Sequence, residues 1–439
     1  MIVTDLQLSH LRAIEAAEFK FRAGFNLIVG VNGVGKSTVL DALRICLSRV
    51  LPKIAEVRAK PMSFEPKDIR VGLPFMEATM FLDLGGTECQ YSRLEWREQV
   101  ARDDSKNIEA LRRAILDTER PRDRPRNLLR ALVESQSLPD SNNFAPNASE
   151  WRKHAKGLSS APLGVYFATN RSVLTAREAA KSKSAGGKAA AYADALVARP
   201  WNIRELADWL RVQLALSSET PLAAQHVAAL QGAAAQFLPE CTGVRPGDAA
   251  ETTLLIEKAG TLLDVRQLSD GERGVLSMVL DLARRLSQAN EGVADPLREG
   301  EAVVLIDELD LHLHPKWQRE IVRNLVKAFP RCQFIATTHS PQVIGEVEHD
   351  RIQIIANGQV YSPLHSFGMD SSQVLEEIME ADPRTHEIEG LLSQISEEIG
   401  QQQFASARSS LTTLVVRLGE DDPEVTRLRT LLDFVEGKE

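Results

Sequence analysis

FNLIVGVNGVGKSTVLDALRICLS, Phe25 to Ser48, carries three signals in succession. FNLIV is an apolar run of strand length, as expected of a strand buried on both faces. GVNGVGKS, Gly30 to Ser37, matches the pattern GxxxxGK[ST] in full. KSTVLDALRICLS reads as a helix with Val39, Leu40, Leu43, Cys46 and Leu47 on one face. A strand, a glycine loop and a helix in that order make a nucleotide site. Backbone N–H groups in the loop can wrap a β-phosphate, and the helix N-terminus adds a positive dipole end. Lys36 is expected on the β- and γ-phosphates, and Ser37 is expected to offer its hydroxyl to Mg²⁺.

Two later stretches extend this sheet. VVLIDELD places Asp307 and Glu308 where an apolar strand ends, and ligands of doubly wound sheets sit outside such ends. Asp307 is expected to hold Mg²⁺ through water, since Mg²⁺ keeps much of its hydration. Glu308 is placed to orient or deprotonate an attacking water. The next apolar run ends in ATTHSP, so His339 is expected beside that exit, within reach of a γ-phosphate or the water. Between the two runs lies the helix WQREIVRNLVKAF, the pattern of a parallel sheet. His312 and His314 in DLHLHP invite a metal reading, but no other His or Cys stands at zinc-type spacing.

RQLSDGERG, Arg266 to Gly274, raises a different question. Ser269 and Glu272 have the spacing of a capping box, and the apolar-rich GVLSMVLDLARRL then reads as a helix. A capped N-terminus is also an anion site, so the turn is either a cap alone or a phosphate contact.

The rest of the chain bounds the answer. It has 439 residues, with 43% hydrophobic and 26% charged, ordinary values for a globular protein. A net charge of −9 does not favour nucleic acid or an anionic membrane in bulk. The four cysteines are scattered, without CxxC, and suit a reducing compartment. No apolar run approaches the ~20 residues of a membrane span, and no signal peptide is expected, which points to a cytoplasmic protein. VTDLQL with AEFKF predicts a hairpin, MEATMFLDL and ECQYSRLEW two strands, and PLGVYFA another. KSKSAGGKAAAYA (Lys181 to Ala193) is low-complexity and reads as a loop. Helices are expected over most of 201–238, a strand pair at TTLLIEK and TLLDVRQL, and a last hairpin at IQIIANG and QVYSP. In the polar insertion, Arg120, Arg122, Arg124, Arg126 and Arg130 form either a DNA contact or, diluted by Asp117, Glu119 and Asp123, a solvated segment. The tail carries three apolar stripes, beginning at Ile388, Leu411 and Val425. They are too apolar for a solvated tail and call for burial on the head, a second copy or a partner. Asp421 and Asp422 read as acids in a turn.

The order phosphate loop, long insertion, LSDGE, VVLIDE, TTHS resembles the ABC-type ATPase head. AAA+ proteins and transport GTPases lack the LSDGE element. The resemblance implies that the helix starting at LSDGE faces the γ-phosphate held by a second head, so Ser269, Gly271 and Glu272 are the trans half of each site. It implies ATP and Mg²⁺ as ligands, with Asn32, Gly33, Gly35, Lys36, Ser37 and Thr38 around the ATP, Ser37 and Asp307 on the metal, and Lys36, Glu308 and His339 as the catalytic set. HLRAIEAAEFKFRAGFNLIVGVNGVGKSTVLDAL and LIDELDLHLHPKWQ are similar to the SMC/RecF/OLD branch, where Arg12 matches a nucleotide-contacting arginine. Transporter heads have DEPTSALD instead, and His314 falls where they carry the Asp of the D-loop. The branch's Q-loop is expected at PLGVYFATNR, which has no Gln, so Asn170 takes that place.

More narrowly, YFATNRSVL, LSDGERGVLSMVLDLARRL, IDELDLHLHPKWQREIV and FPRCQFIATTHSPQVI resemble the stand-alone ATPases of Septu-type anti-phage systems, including those attached to retrons. That resemblance implies a homodimer or higher oligomer that regulates a separate HNH-type nuclease in antiviral defence. A RecF-like DNA-binding ATPase of repair or recombination is the alternative. The expected fold class is α/β: an ABC-ATPase head, with a P-loop, a mostly parallel sheet and an antiparallel β subdomain, plus a helical insertion and a helical C-terminal tail. Its expected parts are 1–96 for the first half of the head, 97–160 for the insertion, 161–265 for a helical lid region, 266–370 for the second half of the head, and 371–439 for the tail. No Toprim nuclease domain is expected after the head, because the tail reads as helices.

Overall fold

Four adjacent strands of the larger sheet have every residue buried: β3 (Phe25–Val29), β6 (Leu163–Phe167), β12 (Ala302–Ile306) and β13 (Cys332–Thr337). Runs this apolar must be covered on both faces, and the order explains how. The computed structural model describes residues 1–73, 75–96, 160–175, 187–248, 253–290, 292–293, 295–382 and 384–437. In it the sheet runs β15-β14-β3-β13-β12-β6, adding β14 (Ile352–Ala356) and β15 (Gln359–Tyr361). All neighbours are parallel except the hairpin β14–β15. Ile306 pairs with both Ala336 and Phe167, so Asp307, Thr337 and Ala168 leave the sheet at one level. The exit of β3 lies on the same edge and opens into the glycine loop.

The helix α1 that follows (Lys36–Ala55) outruns the sequence expectation by two turns. A second, antiparallel sheet has the order β2-β1-β4-β5, from β1 (Ile2–Leu11), β2 (Ile14–Lys20), β4 (Phe75–Asp83) and β5 (Glu88–Trp96). Its hairpin β1–β2 has the pairing expected of VTDLQL and AEFKF. Residues β7 (Leu174–Thr175) and β8 (Trp201–Asn202) form a short parallel pair.

A third layer carries the LSDGE turn. β9 (Cys241–Pro246), β10 (Leu254–Lys258) and β11 (Thr261–Asp264) make an antiparallel sheet backed by α2 (Ile203–Leu216) and α3 (Pro221–Phe237). Leu206, Leu210, Leu230, Val244 and Ile256 close one core with Leu276 and Leu280 of α4 (Asp270–Ala289). Each such side chain contributes about 1.5–3 kcal/mol by burial, enough to fix α4 on this layer. The helix α5 (Pro315–Ala328) connects β12 to β13.

The Lys181–Ala193 segment departs from its expected loop: Gly187–Tyr192 is helical. Ala190 and Ala191 bury their methyl groups, and the carbonyls of Ala191 and Ala193 accept from Arg285 Nη1 at 2.6 and 3.0 Å. Alanine has the best intrinsic helix propensity, and here it also has something to pack against. Residues 97–159 and 176–186 lie outside the described residues, and with them the arginine run. No helix among the described residues is long and apolar enough to cross a membrane.

Contact density separates Met1–Asp370 from Ser371–Glu439. The second unit has three long helices, α6 (His386–Gly400), α7 (Phe404–Leu418) and α8 (Pro423–Glu436). Their stripes bury on one another: Ile395, Ile399, Ala407, Leu411, Leu414, Val425, Leu428 and Leu432 share one core. The expectation that the stripes need the head, a second copy or a partner is thereby corrected. Short connections let three amphipathic helices satisfy each other. Asp422 caps α8, accepting from the N–H of Glu424 at 2.9 Å, and pairs with Arg384 at 3.2 Å.

Candidate nucleotide site

The glycine loop joins β3 to α1 in a shape that only its glycines permit. Gly33 and Gly35 have φ of +84° and +109°. A Cβ on Gly30 would stand 2.6 Å from the carbonyl oxygen of Ile355 and 2.8 Å from Val34 Cγ2. Asn32 and Gly33 are exposed at the loop's crest, while Thr38 is buried under it. Lys36 folds back, its Nζ donating to the carbonyls of Gly30 at 2.8 Å and Val31 at 3.0 Å. Burial lowers its pKa, against the pull of Glu308, Asp307 and Asp310.

Asp307, at the β12 exit, accepts at one oxygen from two hydroxyls: Ser37 Oγ at 3.2 Å and Thr337 Oγ1 at 2.8 Å. The same Thr337 hydroxyl accepts from the N–H of Glu308 at 2.7 Å. Glu308 has φ of +49°, a left-handed conformation that costs a non-glycine residue about 1–2 kcal/mol. Asp310 accepts from Thr338 Oγ1 at 2.5 Å and from the N–H of His339 at 3.3 Å, which ties the His339 backbone to this turn. Thus Lys36, Ser37, Asp307, Glu308 and His339 gather at one sheet edge.

Arg12 stands slightly apart. Its guanidinium pairs with Asp41 of α1 at 2.7 Å and with Asp68 at 2.9 Å. Against the opposing effect of burial, these two carboxylates raise its pKa. His314 caps α5, its Nδ1 accepting from the N–H of Lys316 at 3.3 Å, and His312 has φ of +62°.

The LSDGE turn forms the capping box expected of it. Glu272 N–H donates to Ser269 Oγ at 3.3 Å, and Ser269 N–H to Glu272 Oε2 at 2.9 Å. Lys258 Nζ reaches Glu272 Oε1 at 2.5 Å. The hydrogen bonds of the Ser269 and Glu272 side chains therefore run to each other and to Lys258. Ser269 is exposed and Gly271 is buried against the backbone of His312.

Asn170 is exposed in the 3₁₀ turn Thr169–Ser172. The adjacent residue, which sequence reasoning passed over, is the one directed at the acids. Arg171 is buried, with 6% exposure. Its Nη1 donates to Asp307 O at 2.7 Å and Ala168 O at 3.2 Å, and its Nη2 to Glu308 O at 2.6 Å and Leu309 O at 3.3 Å. Burial lowers its pKa to about 10, with Asp307, Asp310 and Glu308 opposing, so it stays charged at neutral pH.

Residues 25–345, the span holding all these elements but Arg12, match the family model described as "AAA domain, putative AbiEii toxin, Type IV TA system". The chain belongs to that family. It is 26% identical to the retron Ec83 probable ATPase of Escherichia coli over 97% of this chain and 86% of the relative. It is 21% identical to the Septu protein PtuA of Bacillus thuringiensis over 78% of this chain and 73% of that protein. The solved SMC head bound to the C-winged helix domain of ScpA aligns with 82% of this chain and 98% of its own length, at 14% identity and a TM-score of 0.47. The motifs and the family match make the chain an ATPase, similar to the retron ATPase and the Septu protein.

Proposed function

We propose that the chain binds ATP with Mg²⁺ at the glycine loop, hydrolyses it between two copies of itself, and uses that cycle to control a separate nuclease. The observation that carries the reading is the approach of Ser37 Oγ to Asp307 Oδ1 at 3.2 Å. A hydroxyl from the start of α1 and a carboxylate from the β12 exit are hard oxygen donors of the kind Mg²⁺ takes. They suit the ion, which when bound offsets phosphate charge. Lys36 exchanges its two loop carbonyls for phosphate oxygens, and Asn32, Gly33, Gly35 and Thr38 surround them. Glu308 accepts the proton of the attacking water, and His339 holds that water or the γ-phosphate. Arg12, paired with Asp41 of α1 at 2.7 Å, is assigned to the nucleotide; Asn170 takes the Q-loop place.

The trans half is Ser269, Gly271 and Glu272. An exposed, capped helix N-terminus supports this role, since it offers N–H groups and a positive dipole end to an anion. In this reading 1–96 and 161–370 form the head, 97–160 an insertion and 371–439 a tail. The likeness to the retron and Septu relatives supports a defence role; the HNH-type effector nuclease is what the sequence resemblance implies.

A mixing experiment tests the composite site. Neither Ser269→Arg nor Lys36→Ala should hydrolyse ATP alone, and a mixture should regain activity, because one site of a mixed dimer has both halves intact. Wild-type turnover by Ser269→Arg alone would leave LSDGE as a cap only. For the effector, the full chain is purified with its genomic neighbours. A co-purifying nuclease supports the proposal, whereas stimulation of the ATPase by duplex ends with no such partner points to a RecF-like DNA ligand.

A further inference from the structure

We propose that Arg171 is a positioning residue for hydrolysis, holding the left-handed turn that carries Glu308. This rests on the reading of Glu308 as the general base. Three consecutive carbonyls, of Asp307, Glu308 and Leu309, accept from this one guanidinium, and a fourth, of Ala168, belongs to the neighbouring strand exit. The arginine thereby staples the ends of β6 and β12 at the level where the acids emerge.

The Glu308 backbone needs such a hold. Its φ of +49° lies where a side chain with a Cβ does not rest by itself, and strain of this kind persists only when neighbours over-determine it. Here the hold is two-sided. Thr337 Oγ1 takes the Glu308 N–H at 2.7 Å, and Arg171 Nη2 takes its carbonyl at 2.6 Å. With both ends of the residue fixed, the carboxylate has only its own side-chain torsions left to search.

The chemistry also selects arginine over lysine. The four acceptors are spread along two strand ends, and a planar fork with donors on separate nitrogens reaches them together. An ammonium group concentrates its donors on one atom. A buried cation also faces Asp307, Glu308 and Asp310 at once, and their charge opposes the lowering of its pKa by burial. Gly274 of α4 lies alongside: a Cβ there would stand 3.9 Å from Arg171 Nε, an ordinary contact distance. The guanidinium therefore holds the backbone of the base on one side and lies beside the LSDGE helix on the other.

The test uses the purified full chain and compares Arg171→Lys with wild type, each also in a Glu308→Gln background. Affinity for a fluorescent ATP analogue, kcat and KM from phosphate release, and the thermal midpoint are measured. Arg171 donates to backbone carbonyls and to no side chain assigned to the phosphates, so affinity should stay within about threefold while kcat falls at least about tenfold, as small misplacements of a catalytic group do. In the Glu308→Gln background the same change should lower the residual rate less than about twofold, because a base already removed cannot be misplaced. Unchanged kcat in Arg171→Lys, a loss of affinity as large as the loss of kcat, or an equal loss in both backgrounds would each overturn the role. If Arg171→Lys does not fold, Thr337→Val releases the opposite end of Glu308, together with one hydroxyl bond of Asp307; its kcat should fall at least about tenfold, and wild-type kcat there would overturn the proposal. Wild-type turnover by Glu308→Gln alone removes the base itself, a result distinct from any seen in the arginine variants.

Discussion

Gly271→Ala sets two effects of known size against each other. Inside an exposed helix, replacing glycine by alanine stabilises by about 0.5–1 kcal/mol, because the unfolded chain loses freedom. At Gly271 the added methyl meets backbone. It would press into the carbonyl oxygen of His312 and stand 3.3 Å from that carbonyl's carbon and 3.7 Å from Leu313 Cα. His312 has φ of +62°, so the loop that must yield is already in a conformation side chains rarely take. Overpacking against an unyielding neighbour costs about 1–3 kcal/mol, more than the entropic gain. The net expectation is a destabilisation of about 1–2 kcal/mol. Gly232, in α3 of the same unit, is the matched control: nothing stands within 4 Å of its Cβ position. Gly232→Ala should therefore raise the thermal midpoint and Gly271→Ala should lower it, each by about 1–3 °C in a unit of this size. The midpoint of the full chain is followed by circular dichroism, and ATP turnover is measured beside it. Gly271→Ala should also slow turnover, since the first turn of α4 must tilt away from the His312 loop, whereas Gly232→Ala should not. If Gly271→Ala stabilises as much as Gly232→Ala, the close approach of α4 to that loop is not real.

Three further outcomes follow from single side chains. Lys36→Ala should stay folded and bind ATP at least about tenfold more weakly, the loss of one charge-assisted bond to phosphate; normal affinity by equilibrium binding would contradict the loop assignment. Asp281→Asn should cost about 3 kcal/mol in chemical unfolding at pH 7, because it leaves Arg284 and Arg285 buried with less compensation; burial pushes the Asp281 carboxyl up but Arg285, Arg284 and Arg199 hold it far below its ordinary range, so its contribution is full above about pH 4 and drains only as pH falls below that. Glu77→Gln should match wild type near pH 4 and be about 3 kcal/mol more stable at pH 8, because burial raises the Glu77 carboxyl to about 7, and a raised pKa means stability lost as pH climbs through that value; equal pH profiles would refute it.

The sheet and its edge were legible because both obey local rules. β6 and β12 are unbroken apolar runs, β3 and β13 are interrupted only by Asn26 and Gln333 before their ends, and the residues at their exits follow from where each run stops. Glycine spacing announces the loop, and a Ser and Glu three apart announce the cap on α4. What escaped was the direction of polar side chains. Thr169, Asn170 and Arg171 are all polar, and a 3₁₀ turn separates neighbours by about a third of a circle, so one faces inward and the others do not. Nothing local says which; the strand exit of β12, more than a hundred residues away in sequence, supplies the carbonyls that decide for Arg171. The same blindness hid the middle of α4. Asp281, Arg284 and Arg285 stand at i, i+3 and i+4, the spacing of a solvated surface trio. In the fold they are interior: Arg284 and Arg285 are 2% and 1% exposed, answered by Asp281, by Glu205 at 3.1 Å and by the carbonyls of Ala191 and Ala193. Those carbonyls belong to the alanine-rich segment that read as a loop, and its helix ends where the arginine needs acceptors. In each case a buried guanidinium takes backbone carbonyls left open at the end of a distant element. The acceptors carry no sequence signature, since every residue has one. An arginine beside an apolar strand or helix is therefore a candidate anchor that only the tertiary arrangement of strand and helix ends can confirm.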